Sequence, residues 1–229
     1  ELLGTLLTSW TRAPKSREFP RRFPQTAAEL VSGMDQIHAA LGGEAIVEDI
    51  HHWHYNRHDA EQIQIFQHAV DFEARRRQAV SSVEQWNTLD ESASGFRLHR
   101  RGPGASLAHH QLVALRPPGA QKFILCELRW LFQSPDHALT VGARALVGLA
   151  QPVGVRPLSG IPAKPSPFSH AFVLPVARDL PASIVLPGGW HQPGRTLDLR
   201  AEGPVLHIRL MELLARGYDF DHARFEFVT

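Results

Sequence analysis

The sequence predicts a mainly β protein: an antiparallel β-barrel holding an inserted mixed segment, followed by a second small β domain. Three observations predict it. The middle of the chain is built of short alternating apolar and polar runs, each closed by a turn signal. A polar, His-rich stretch interrupts them. Proline then crowds the C-terminal third, where ten of 17 Pro lie between Pro152 and Pro204 and strand signals resume. A length of 229 residues fits one large domain or two small ones, each able to bury a core.

Residues 1–16 read as an N-terminal leader, apolar at Leu2, Leu3, Leu6, Leu7 and Trp10, with the character of a helix tail continuing from something upstream. The barrel is expected over 17–150. Ala27, Leu30, Met34, Ile37 and Leu41 fall at helical spacing, so a strand from about Ala27 to Gly33 turns helical toward Leu41. An insertion at about 42–80 follows Gly42-Gly43. Within it, residues 59–72 are ambiguous between strand and helix, and Arg75-Arg76-Arg77 reads as a solvated charge run. Further strands are predicted at Gly95–Arg100, Gln111–Arg116, Lys122–Phe132 and Leu139–Leu146, with Ser134–His137 as a turn. Residues 151–168 read as a Pro-rich linker, because proline fixes φ and cannot donate to a strand ladder. The second β domain is expected over 169–229, with strands at 172–175, 183–186, 196–199, 206–210 and 224–228. Met211–Arg216, ending at Gly217, reads as a short capped helix.

Charge narrows the function. The 24 basic and 23 acidic residues nearly cancel, which argues against a nonspecific nucleic-acid coat or a polybasic membrane anchor. Yet 21 of the 24 basic residues are Arg. Codon bias accounts for most of that skew; the sharper reading is that some Arg forks are placed for bidentate recognition of guanine or phosphate. The single Cys126 excludes an intrachain disulfide framework and points to a reducing, cytoplasmic setting. It lies in an apolar strand and reads as packing rather than reactive. No apolar run reaches the length of a membrane span. No GxSxG elbow, Walker loop or GxGxxG is present, so no catalytic residue is assigned and no enzyme is expected.

Two motifs carry recognition chemistry. Arg17 and Arg21 are spaced as RxxxR, with Arg22 beside them. Asp90, Ser92 and Gly95 are spaced as DxSxxG, with Arg97 close behind. An Arg fork can donate to O6 and N7 of guanine or to phosphate oxygens, and its plane can stack on a purine. A carboxylate such as Asp90 can accept from guanine N1–H and N2–H. Ser92 offers a small hydroxyl, and Gly95 permits a positive φ or close approach of a ligand. The set suits binding rather than turnover. In combination and order, these motifs resemble the PilZ family of cyclic di-GMP receptor domains, as a divergent member with an insertion. The resemblance spans roughly residues 15–148. It implies a barrel with cyclic di-GMP as ligand, no other cofactor, and transmission of binding to an upstream region or a protein partner. The interval from Arg21 to Asp90 departs from the family pattern and is accommodated by the insertion.

Two competing readings are carried. A degenerate PilZ-like barrel could serve only as a protein-interaction scaffold, anchored by Trp53, Trp86 or Trp190 where exposed, with a place in the core as the alternative for each. A metal-dependent enzyme could use the His-rich insertion, where His54 and His58 would share a helix face at i, i+4. No HExxH is present, a polar surface is the favoured reading of these histidines, and no metal is expected. Single-stranded nucleic-acid binding through Arg97, Arg100, Arg101 and Arg129 ranks below the ligand reading.

Overall fold

The computed structural model describes residues 20–43, 83–158, 166–177 and 180–228. They form two closed antiparallel six-stranded β-barrels. The first comprises β1 (Thr26–Ser32), β2 (Glu84–Ser92), β3 (Gly95–Arg100), β4 (Leu112–Arg116), β5 (Ile124–Gln133) and β6 (Leu139–Ala145), with helix α1 (Met34–Ala40) following β1. The second comprises β7 (Gln151–Pro157), β8 (Ser169–Leu174), β9 (Ser183–Pro187), β10 (Thr196–Arg200), β11 (Leu206–Arg216) and β12 (Phe220–Phe227). The first barrel closes in the order β1-β2-β3-β6-β5-β4 and the second in the order β7-β8-β9-β12-β11-β10. Read strand for strand, these are one topology used twice, a repeat invisible in the residues themselves.

Alternation explains each interior. In the first barrel Leu30, Trp86, Leu98, Val113, Leu115, Cys126, Leu128 and Val141 point inward. In the second, Val153, Val155, Ile184, Leu197, Leu199, Ile208 and Leu210 do so. The intervening residues of several strands also turn apolar, because they meet the other barrel. Val31, Leu112, Ala114 and Leu125 on the outside of the first barrel pack with Phe172, Leu174, Val185 and Phe220 of the second, and Ile37 of α1 joins them. Polar contacts also fasten this junction: the Leu112 amide donates to Asp219 Oδ1 at 2.9 Å, the Tyr218 amide donates to the His110 carbonyl at 2.8 Å, and His170 Nδ1 stands 2.7 Å from Asp35 Oδ1 of α1.

Three expectations are corrected. Gln151–Pro157, expected within the linker 151–168, is the first strand of the second barrel, with Val153 and Val155 buried. Its two prolines occupy the strand's ends of weakest demand: Pro152 stands second from the start and Pro157 closes it. Met211–Arg216 is strand rather than helix. Leu213, Ala215 and Arg216 pair with Ala223, His222 and Asp221, and this cross-strand pairing overrides the helical propensity of Leu, Met and Ala. Trp86, offered as an exposed anchor, is a core residue at 1% exposure, whereas Trp53 lies outside the described residues. Among the described residues, no helix is long and apolar enough to cross a membrane.

Candidate functional site

The chain before β1 runs along β2. Arg22 and Glu91 exchange both backbone hydrogen bonds at 2.9 Å, and Gln25 adopts a φ of +46° between this bridge and β1. The bridge carries Arg21 over the end of β2, where its guanidinium pairs with Asp90 Oδ1. From the other side Arg97 Nε stands 2.7 Å from Asp90 Oδ2, as an ion pair rather than an aligned hydrogen bond. The Asp90 side chain is 3% exposed, while those of Arg21 and Arg97 are 34% and 41% exposed. The carboxylate therefore holds two guanidinium groups in place and leaves their outer faces in solvent. This revises the expected role of Asp90, which is closed by both Arg and not open to a ligand.

Ser92 and Gly95 act on the hairpin. Ser92 Oγ donates to the Gly95 carbonyl at 3.3 Å, across the turn that joins β2 to β3. Gly95 does not take a positive φ; a Cβ there would stand 2.8 Å from the Ala143 carbonyl oxygen on β6. The neighbouring strand by itself requires glycine here.

Register sets what else faces out. Three rungs cross β2, β3, β6 and β5 on the outer surface. The first holds Ser92, Gly95, Arg144 and Glu127; the second Asp90, Arg97, Gly142 and Trp130; the third Asn87, His99, Thr140 and Phe132. Two bulges make the second rung. On β2 the register shifts between Thr88 and Asp90, and on β5 between Leu128 and Trp130. Thr88 and Leu128 are buried, so strict alternation would bury the residues two further on. One extra residue in each strand reverses the facing and turns Asp90 and Trp130 outward. The Trp130 indole then lies over Gly142: a Cβ added to that glycine would fall within 2.8 Å of three ring atoms. Trp130 is 42% exposed and shares this rung with Arg97, the two flanking Gly142. Arg144 is exposed and has no ionic partner among the described residues.

The structure thus brings together Arg21, Arg97 and Asp90, and sets Ser92 and Gly95 beside them. Arg22 contributes its backbone. Arg17 lies outside the described residues, as do His54, His58 and most of the 42–80 insertion. Among the described residues no group of three metal-ligating side chains is found. Trp130 and Arg144 were not singled out as site residues from sequence. Cys126 is fully buried, and burial pushes its thiol up to about 12, so it packs and does not react. At the β5 end of the first rung, Glu127 pairs with His110 and with Arg129 at 3.1 Å. Burial opposes its ionised form, but the hydrogen bonds from His110 and Arg129 outweigh burial and hold its carboxyl below the usual range.

Comparison with known families bears on the second barrel. The family model of the FimW C-terminal β-barrel domain matches residues 153–228. No curated protein and no solved structure matches the chain. The PilZ resemblance read from the two motifs is corrected by the same result, because no model of that family matches. The matched family lies in the region those motifs left unexplained. RxxxR and DxSxxG are short enough to recur in an Arg-rich chain, and here Ser92 and Gly95 are accounted for by the hairpin they build and Asp90 by its two ion pairs.

Proposed function

We propose that the chain is a binding module without catalytic turnover, that the outer face of the first barrel takes cyclic di-GMP, and that the second barrel passes occupancy to an attached region or protein partner. The observation that carries this reading is the second rung: two partly exposed guanidinium groups on one buried carboxylate, with an exposed indole in the same register. Indole and guanidinium planes stack on a purine. The Arg21 and Arg97 forks can donate to guanine O6 and N7 or to phosphate, and Arg144 adds a cation one rung away. Asp90 preorganises the forks, so less side-chain entropy is lost on binding. Nothing in the set is an activated nucleophile.

Calorimetric titration with cyclic di-GMP, beside GTP as a control, tests the reading. Saturable binding is expected, and Arg21→Ala should weaken it by about tenfold or more, in keeping with a charge-assisted contact. Absence of binding, or an Arg21→Ala affinity equal to that of the parent chain, removes the proposal.

A further inference from the structure

We infer that the third rung is a second base subsite, in which Phe132, His99 and Thr140 take the other purine of a two-base ligand. The inference rests on the reading of the second rung as a guanine site. Phe132 is 61% exposed, in register with Thr140, and stands two residues after Trp130 on the same strand. The β5 bulge that turns Trp130 outward turns Phe132 outward with it, while Leu131 between them packs into the core. Two aromatic rings are thereby exposed in succession on one sheet face, about 7 Å apart along the strand. That separation lies within the reach of two nucleotides joined through a phosphate.

The polar neighbours fit a base edge. His99 lies across from Thr140, and its Nδ1 is 3.1 Å from Thr140 Oγ1. That contact fixes the ring and leaves Nε2 without a protein partner among the described residues. One ring nitrogen is then free to meet a purine amino group or ring nitrogen above Phe132. Exposed single apolar residues are common on protein surfaces. What sets Phe132 apart is its place: the next rung of a face that already holds two guanidinium groups and an indole. The cations lie on the first two rungs, which leaves the third to supply stacking and an edge contact. On this arrangement a mononucleotide fills one subsite and a dinucleotide fills both, so the third rung selects for ligand length.

The test compares cyclic di-GMP with cyclic GMP on the full chain by calorimetry. The parent protein should bind the dinucleotide more tightly. Phe132→Ala should weaken cyclic di-GMP by about tenfold, the usual cost of removing one aromatic platform, and leave cyclic GMP unchanged. Phe132→Trp should restore the preference. Trp130→Ala should weaken both ligands. A thermal midpoint unchanged by Phe132→Ala confirms that the exposed side chain is not needed for folding. If Phe132→Ala weakens both ligands equally or neither, the second subsite is wrong while the first stands. If the parent protein binds neither ligand, both readings fall.

Discussion

In the first barrel the outer face of β2, β3, β6 and β5 carries Asp90, Arg97, Arg144 and Trp130 and meets solvent. In the second barrel the strands at equivalent places, β8, β9 and β12, carry Phe172, Leu174, Val185 and Phe220 and meet the first barrel. Strand order is the same in both, so topology does not decide what a face does; the residues at the outward positions do. A barrel has its own closed core, and its outer alternating set is free to be polar, apolar or bulged. One copy spends that set on charge and an indole, and the other on an intramolecular contact that orients it.

Removing the apolar contact breaks the comparison most severely. Phe172 is fully buried between the barrels. Phe172→Ala should cost about 3–5 kcal/mol, the usual loss for a buried aromatic. Denaturant unfolding should then split into two transitions, because each barrel keeps its own interior. A single transition with little lost stability would show that the junction does not orient the second barrel.

An intermediate effect separates two of the buried carboxylates. Asp198 lies between Arg156 Nε at 2.8 Å and His207 Nδ1 at 2.9 Å, much as Asp90 lies between its two Arg. Asp198→Asn should lower stability by about 1–3 kcal/mol, since Arg156 loses its counter-ion in a partly buried place. It should leave ligand affinity untouched. Asp90→Asn should do the reverse for affinity, weakening cyclic di-GMP about tenfold as both guanidinium groups lose their anchor. Equal effects of the two substitutions on binding would erase the distinction between the faces.

The smallest effect sharpens the picture at the junction itself, where two groups answer acid with opposite signs. Burial pushes Asp219 from 3.8 up to about 6. A raised carboxyl contributes stability that is present below pH 3.8 and lost as pH rises through 6. Asp219→Asn keeps the oxygen that accepts from Leu112 and sheds the charge. Because part of that carboxyl meets solvent, the gain at pH 7 should be about 1 kcal/mol, vanishing below pH 4. Burial, with a smaller contribution from the stacked His170 4.1 Å away, lowers His38 from 6.5 to about 4. Its contribution is full above pH 6.5 and is lost as pH falls toward 4. Stability curves of His38→Asn should therefore be flatter across that interval than those of the parent chain.

Most strands were legible because alternation bounded by Gly and Pro is a strong signal, as at Gly95–Arg100 and Leu139–Ala145. The change from strand to helix after Ser32 was also legible, through the switch to helical spacing up to Leu41. Two kinds of feature were not. Proline at Pro152 and Pro157 hid a strand, since its cost depends on which side needs an N–H, and that is fixed only by the neighbours β8 and β10. Trp130 was hidden by its bulge: read by period two from Leu128, it belongs to the core. A bulge depends on the partner strand, so no window of sequence contains it. Arg21, Asp90 and Arg97 could be singled out by type and spacing, whereas their closure into one ion-paired group is a property of three separate segments.

The passage from one barrel to the other is short. β6 ends at Ala145 and β7 begins at Gln151, and within the connection the Leu146 amide is tied to the Leu125 carbonyl at 2.9 Å. A tether of that reach keeps the two junction faces at a high effective concentration even when their contacts are broken. Weakening the junction thus yields barrels that rattle and re-dock instead of drifting apart. Any message sent between them is then a change in how often they are seated, one that a modest differential in ligand affinity is sufficient to bias.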